Sequence, residues 1–163
     1  MVVEKNAPLQ PCNTFGIAAR AQTLVRVHSV DDLRAVLADP QLAPAPKFVL
    51  GGGSNIILTG DVKSVVLKME IKGLRLVGET PKAWIVEAGA GEVWHDAVAW
   101  TLAHGYPGLE NLALIPARWG HRPSRTLARM AWSCRTVLSL STPSTWLRAS
   151  RSAWMLRNAV WLP

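Results

Sequence analysis

Phe48-Val49-Leu50-Gly51-Gly52-Gly53-Ser54-Asn55 is a short apolar run that passes directly into three glycines and two polar residues. An apolar segment of this length, bounded by glycine, reads as a buried strand. Three successive residues without a β-carbon let the chain turn sharply and bring backbone N–H groups within reach of phosphate oxygens, and Ser54 and Asn55 add side-chain donors. A diphosphate would fit such a loop, although a glycine-rich strand end followed by Ser-Asn is more often a plain turn. The loop lacks the Gly-Lys-Ser/Thr of a nucleoside triphosphatase and the spacing of a Rossmann fingerprint.

Working outward, the flanks alternate between strand and helix. Thr23 to His28 is a strand candidate, and Ser29 with Asp32 three residues later is a helix N-cap pattern whose apolar face is Leu33, Val36 and Leu37. Asp31-Asp32 suits the positive end of that helix better than acid–base catalysis. Asp39-Pro40 ends it. Val65 to Leu67 is another strand, and Leu74 to Val77 and Trp84 to Ala88 bracket a turn at Gly78 to Lys82, predicting a hairpin. A second helix is expected from about Glu92 to His104, stopped by Gly105 and Pro107. This order predicts an α+β or α/β unit without internal repeats.

Charge divides the chain at Pro116. All 11 acidic residues precede it, while residues 117–163 carry eight Arg, no Lys, no Asp and no Glu. With about a quarter of residues charged in an ordinary domain, half of them acidic, an acid-free run of that length arises by chance on the order of 0.3% of the time. The +7 net charge therefore belongs to the tail and says nothing of the head. Residues 1–116 are expected to form the folding part and 117–163 a non-native, disordered tail. No apolar run reaches 18 residues, and the opening Met1 to Pro8 has no signal-peptide pattern, so a cytoplasmic location is expected. Cys12 and Cys134 are too few and too far apart for a disulfide framework or a zinc site.

Three motifs carry a family resemblance. Asn13-Thr14-Phe15-Gly16, Leu50 to Asn55, and the run Gly105-Tyr106-Pro107-Gly108-Leu109-Glu110-Asn111-Leu112-Ala113-Leu114-Ile115-Pro116 together resemble the UDP-N-acetylenolpyruvoylglucosamine reductases. The resemblance implies an incomplete FAD-binding domain of the vanillyl-alcohol-oxidase (PCMH) type. Gly51, Gly52, Gly53, Ser54 and Asn55 would hold the FAD pyrophosphate, and Ile115 and Pro116 would begin the approach to the isoalloxazine ring. NADPH is the implied co-substrate and a UDP-sugar the substrate, in peptidoglycan synthesis; oligomeric state stays open. The family's Arg, Glu and Ser groups for catalysis lie beyond Pro116, so no catalytic residue is assigned.

The family pattern breaks off at Pro116, and the tail explains why. Arg, Trp and Ser without acids are what a GC-rich coding strand yields when read out of register. Trp and Met have one codon each, which makes the idea checkable: moved back by one base, Arg129-Met130-Ala131-Trp132-Ser133 reads Ala-Tyr-Gly-Val-Glu. That is the sequence the family places there, and one missing base after the Pro116 codon accounts for it. The expected consequence is a truncated, inactive product.

The alternative is that eight Arg and five Trp of the tail bind nucleic acid or a membrane surface. The Trp spacings of 13, 14, 8 and 7 place them on no common helix face, and Pro123 and Pro143 interrupt any long helix. Neither partner is expected. His95 and His104, nine residues apart, have no metal-ligand partners and read as solvated or capping residues; Trp94 and Trp100 read as packing residues.

Overall fold

The computed structural model describes residues 1–80, 83–118 and 159–160. Its contacts divide into two units, 1–71 and 72–163.

The first unit is a four-stranded sheet in the order β1-β2-β4-β3, formed by β1 (Val2–Pro8), β2 (Arg20–Val27), β3 (Lys47–Leu50) and β4 (Val62–Met69). β1 runs antiparallel to β2, whereas β2, β4 and β3 are mutually parallel. Parallel strands buried on both faces read as continuous apolar runs rather than alternating ones. β4 shows this: every residue from Val65 to Met69 is buried, Lys68 among them.

Helix α1 (Val30–Ala38) lies between β2 and β3 and buries Leu33 and Val36. Ser29 and Asp32 form the capping box that their spacing predicts: the Asp32 N–H donates to Ser29 Oγ at 3.0 Å, and the Ser29 N–H donates to Asp32 Oδ2 at 3.2 Å. Asp32 Oδ1 also meets the Met1 ammonium at 2.7 Å. That amino-terminal hydrogen bond, followed by the one from the His28 N–H, lowers the Asp32 pKa from 3.8 to about 2. A carboxylate whose folded pKa is depressed stabilises the fold fully above its unfolded value. The contribution should therefore be complete above pH 3.8 and fade as pH falls towards 2. Ser29→Ala, which removes one half of the box, is expected to cost about 1 kcal/mol, read as a lower urea midpoint in circular dichroism. An unchanged midpoint would show the box to be idle.

β3 and β4 are neighbouring parallel strands, so the chain must return from the C-terminal end of one to the N-terminal end of the other. It does so through the irregular segment 51–61 rather than a helix, and Ile56 and Leu58 of that segment pack with Phe48 and Val62 onto a core of Ala7, Leu9, Cys12, Ala21, Leu24, Leu50 and Val66. The glycine loop is the first part of this crossover. It thus sits at the C-terminal end of a parallel strand, where open sheets with a helical face place their ligands.

The second unit holds the predicted hairpin, β5 (Leu74–Thr80) with β6 (Ala83–Ala88), and helix α2 (Trp94–Ala103). α2 starts two residues later than expected because Val93 is its N-cap. Trp94, Ala97 and Val98 pack with Ala88, Leu109 and Leu112, and the Trp94 indole N–H donates to Leu112 O at 2.7 Å. Trp94 is therefore a packing residue. Trp100 stacks on His104 at 4.2 Å between centroids, and His104 is the C-cap of α2. His95 is exposed, and its Nδ1 accepts from the Leu114 N–H at 3.3 Å.

Four residues beyond the expected boundary at Pro116 are among those described. Ala117 O accepts from the Trp94 N–H at 2.9 Å, Arg118 bridges Val93 and donates to Gly91 O at 2.6 Å, and β7 (Ala159–Val160) pairs antiparallel with β6. These four tail residues are held through backbone groups or a single guanidinium, contacts that an acid-free composition does not prevent. The rest of the expected disordered tail, 119–158 and 161–163, lies outside the described residues.

Candidate functional site

Asn13 is the foundation of the glycine loop. Buried to 7% exposure, its amide donates to Leu9 O at 2.9 Å and Ile17 O at 3.0 Å, while its Oδ1 accepts from the Ile17 N–H at 2.9 Å. A buried amide satisfied on both sides rigidifies the turn it spans. The turn presents Thr14, whose N–H donates to Gly53 O at 3.1 Å and whose hydroxyl donates to the same oxygen at 3.4 Å.

Gly53 meets this turn at van der Waals limits. Its φ is +71°, in the left-handed region, and a β-carbon there would stand 2.1 Å from Cys12 O and 2.7 Å from Asn13 Cα. Only glycine fits. On its other side the loop is held by Lys68, a buried residue whose Nζ donates to Gly51 O at 2.6 Å. Two loop carbonyls are thus tethered to the body of the unit. Among the described residues, the N–H groups of Gly52 and Ser54 have no acceptor within the chain.

This donor set fits a diphosphate. Gly52 and Ser54 are half-buried and Asn55 is exposed, so two backbone N–H groups, one hydroxyl and one amide remain for a ligand. Anions bind such successive backbone N–H groups because the peptide dipoles point at them. Phe15, next to Thr14 in the tethering turn, and Ile57, two residues after Asn55, are 63% and 75% exposed.

Five of the seven predicted site residues, Gly51 to Asn55, are contiguous in the first unit. Ile115 and Pro116 belong to the second. Ile115 is half-buried against the Ala88–Trp94–Leu112 core and Pro116 is exposed, directly after Leu114, which takes a left-handed φ of 62° and is 78% exposed. Sequence reasoning missed Lys68 as part of the site. Its signal was a lysine within the otherwise apolar run Val65 to Met69, where a charged residue demands a partner. Thr14 was noted as a motif residue without a structural role.

A mixed α/β unit that ends a parallel strand in a tethered, donor-rich glycine loop defines the class of diphosphate-cofactor-binding domains. Residues 21–120 match the family described as FAD binding domain, and the chain belongs to that family. The curated relatives include UDP-N-acetylenolpyruvoylglucosamine reductases of Azoarcus sp. (strain BH72), 53% identical over 78% of this chain and 38% of the relative, and of Burkholderia orbicola (strain MC0-3), 55% identical over 74% of this chain and 34% of the relative. A solved structure of the UDP-N-acetylenolpyruvylglucosamine reductase from Thermus caldophilus superposes with a TM-score of 0.57 at 29% identity, covering 72% of this chain and 40% of that one. The chain therefore spans well under half the length of the relatives it matches. These findings bear out the resemblance carried by the three motifs and the FAD-binding fold expected from it. Among the described residues no helix is long and apolar enough to cross a membrane.

Proposed function

We propose that residues 1–116 are the amino-terminal part of the FAD-binding domain of a cytoplasmic UDP-N-acetylenolpyruvoylglucosamine reductase, with the glycine loop as its diphosphate cradle. The observation that carries this reading is the pair of Gly52 and Ser54 N–H groups left without acceptors by a loop whose carbonyls are tied down. They bind the diphosphate, Ser54 Oγ and the Asn55 amide orient it, and Gly53 sets the turn that brings them together. Ile115 and Pro116 begin the segment that approaches the flavin ring. When bound, FAD supplies hydride transfer from NADPH to the enolpyruvyl double bond of a UDP-sugar, the reaction that serves peptidoglycan synthesis.

Residues 117–163 are read one base out of register. That segment contains no Glu and no Tyr, so the Glu and the Gly-Tyr-Arg motif that the resemblance requires have no counterpart in it. The chain as it stands is accordingly inactive, and it holds FAD weakly.

Titration calorimetry of the full chain tests the cradle. FAD and ADP should bind measurably, adenosine and riboflavin more weakly by roughly a hundredfold or more, because the two backbone N–H groups alone give two charge-assisted hydrogen bonds to the diphosphate, each contributing on the order of 1.5 kcal/mol. Equal affinity for ADP and adenosine would contradict a phosphate-binding loop.

A further inference from the structure

Lys68 is 6% exposed at the next-to-last position of the parallel strand β4, and its backbone is the register partner of Leu50, the last residue of β3. A methionine would fill a similar volume without the cost of taking an ammonium out of water. What the lysine adds is a donor and a charge, and its Nζ spends one hydrogen bond on Gly51 O at 2.6 Å. In a planar trans peptide the C=O and the following N–H point in opposite directions. Drawing Gly51 O towards Lys68 therefore turns the Gly52 N–H away from it, out of the body of the unit. Thr14 does the same to the next-but-one peptide: its two bonds to Gly53 O turn the Ser54 N–H away from the Asn13 turn.

From this geometry we propose that Lys68 is a positioning residue for the cofactor diphosphate, aiming the Gly52 N–H at it and placing a positive charge behind the loop. The inference rests on the diphosphate-cradle reading above. Lys68 acts on the ligand through the Gly51–Gly52 peptide and at longer range through its charge, which a dry interior screens little.

The test uses the full chain labelled with 15N, with ADP as the probe and adenosine as the control. Residual dipolar couplings report the direction of each N–H. In the wild type, ADP should shift the Gly52 and Ser54 amide resonances and adenosine should not. In Lys68→Met the Gly52 coupling should change while that of Ser54 stays, and the ADP dissociation constant should rise about tenfold, the effect of losing one hydrogen bond to a charged group. Lys68→Gln, which keeps a donor without the charge, should retain the Gly52 coupling and still bind ADP more weakly. An unchanged Gly52 coupling in Lys68→Met, or wild-type ADP affinity in that variant, overturns the role of Lys68 and leaves the cradle standing. Loop resonances of the wild type that ignore ADP would instead remove the cradle itself, and this inference with it. If Lys68→Met does not fold, Lys68→Gln carries the decision: weakened ADP binding supports the charge, and unchanged binding overturns it.

Discussion

Gly53→Val should unfold the site and much of the first unit with it. The backbone at this position is left-handed, φ +71°, and a β-branched residue there costs roughly 1–2 kcal/mol from sterics alone. The larger cost is the contact: a β-carbon 2.1 Å from Cys12 O meets backbone, not the end of a flexible side chain, so the Asn13 turn must move off. That separation breaks the two Thr14 bonds to Gly53 O, each a contribution of about 1 kcal/mol. A total near 3 kcal/mol or more is expected, a large share of what holds a small domain together. Circular dichroism in urea reads it, since the first unit contains no tryptophan. Hydrogen exchange of the Thr14 amide gives the local version, because its acceptor is Gly53 O. Gly52 is the contrast: its φ is not left-handed, so Gly52→Val should lower stability less while blocking the close approach of a diphosphate. A Gly53→Val chain with wild-type stability and a protected Thr14 amide would sink the account of the loop.

Restoring one base after the Pro116 codon is expected to give an active reductase, and the chain read without that base is expected to show no turnover. Hydride transfer requires the flavin fixed against the enolpyruvyl group, and the enolic intermediate of the substrate requires electrostatic and proton-donating groups. Residues 117–163 supply none of the family's motifs for these tasks. The restored reading supplies Gln-Asn-Ile-Gly-Ala-Tyr-Gly-Val-Glu after a glycine and a short segment that follow the Ile-Pro run, and opens the way to the rest. The restored protein should purify yellow and oxidise NADPH in a manner that depends on UDP-N-acetylenolpyruvoylglucosamine, followed by absorbance. The chain as it stands should do neither, a difference limited only by assay background. Turnover by the unrestored chain would refute the shifted frame, and a colourless, inactive restored protein would refute the assignment to this reductase.

The parts legible in the sequence are those specified by a few neighbouring residues. The capping box at Ser29 and Asp32, the end of α1 at Asp39-Pro40, the hairpin of residues 74–88 and the glycine loop after Leu50 all depend on local spacing, and each is where the sequence places it. Boundaries drifted by a few residues, as with α2, because propensity changes gradually along a chain and caps are set by individual side chains. The three motifs identified the family because their residues and order are specific, without any knowledge of what they touch.

What only the tertiary structure decided is everything that joins distant segments. β1 has no strong periodic signal and becomes a strand by pairing with β2. The order β1-β2-β4-β3 brings β4 between β2 and β3, which puts Lys68 beside the end of β3 and so beside the glycine loop. The need for glycine at position 53 comes from Cys12 and Asn13, 40 or so residues earlier in the chain, which come into contact only when the fold closes. Even the anchoring of Ala117 and Arg118 depends on where Gly91 and Trp94 present their backbone groups. Local spacing selects turns and caps because their hydrogen bonds span three or four residues. A site made of tethered carbonyls and outward N–H groups is built from contacts across tens of residues, and strand pairing rather than composition chooses which of them meet.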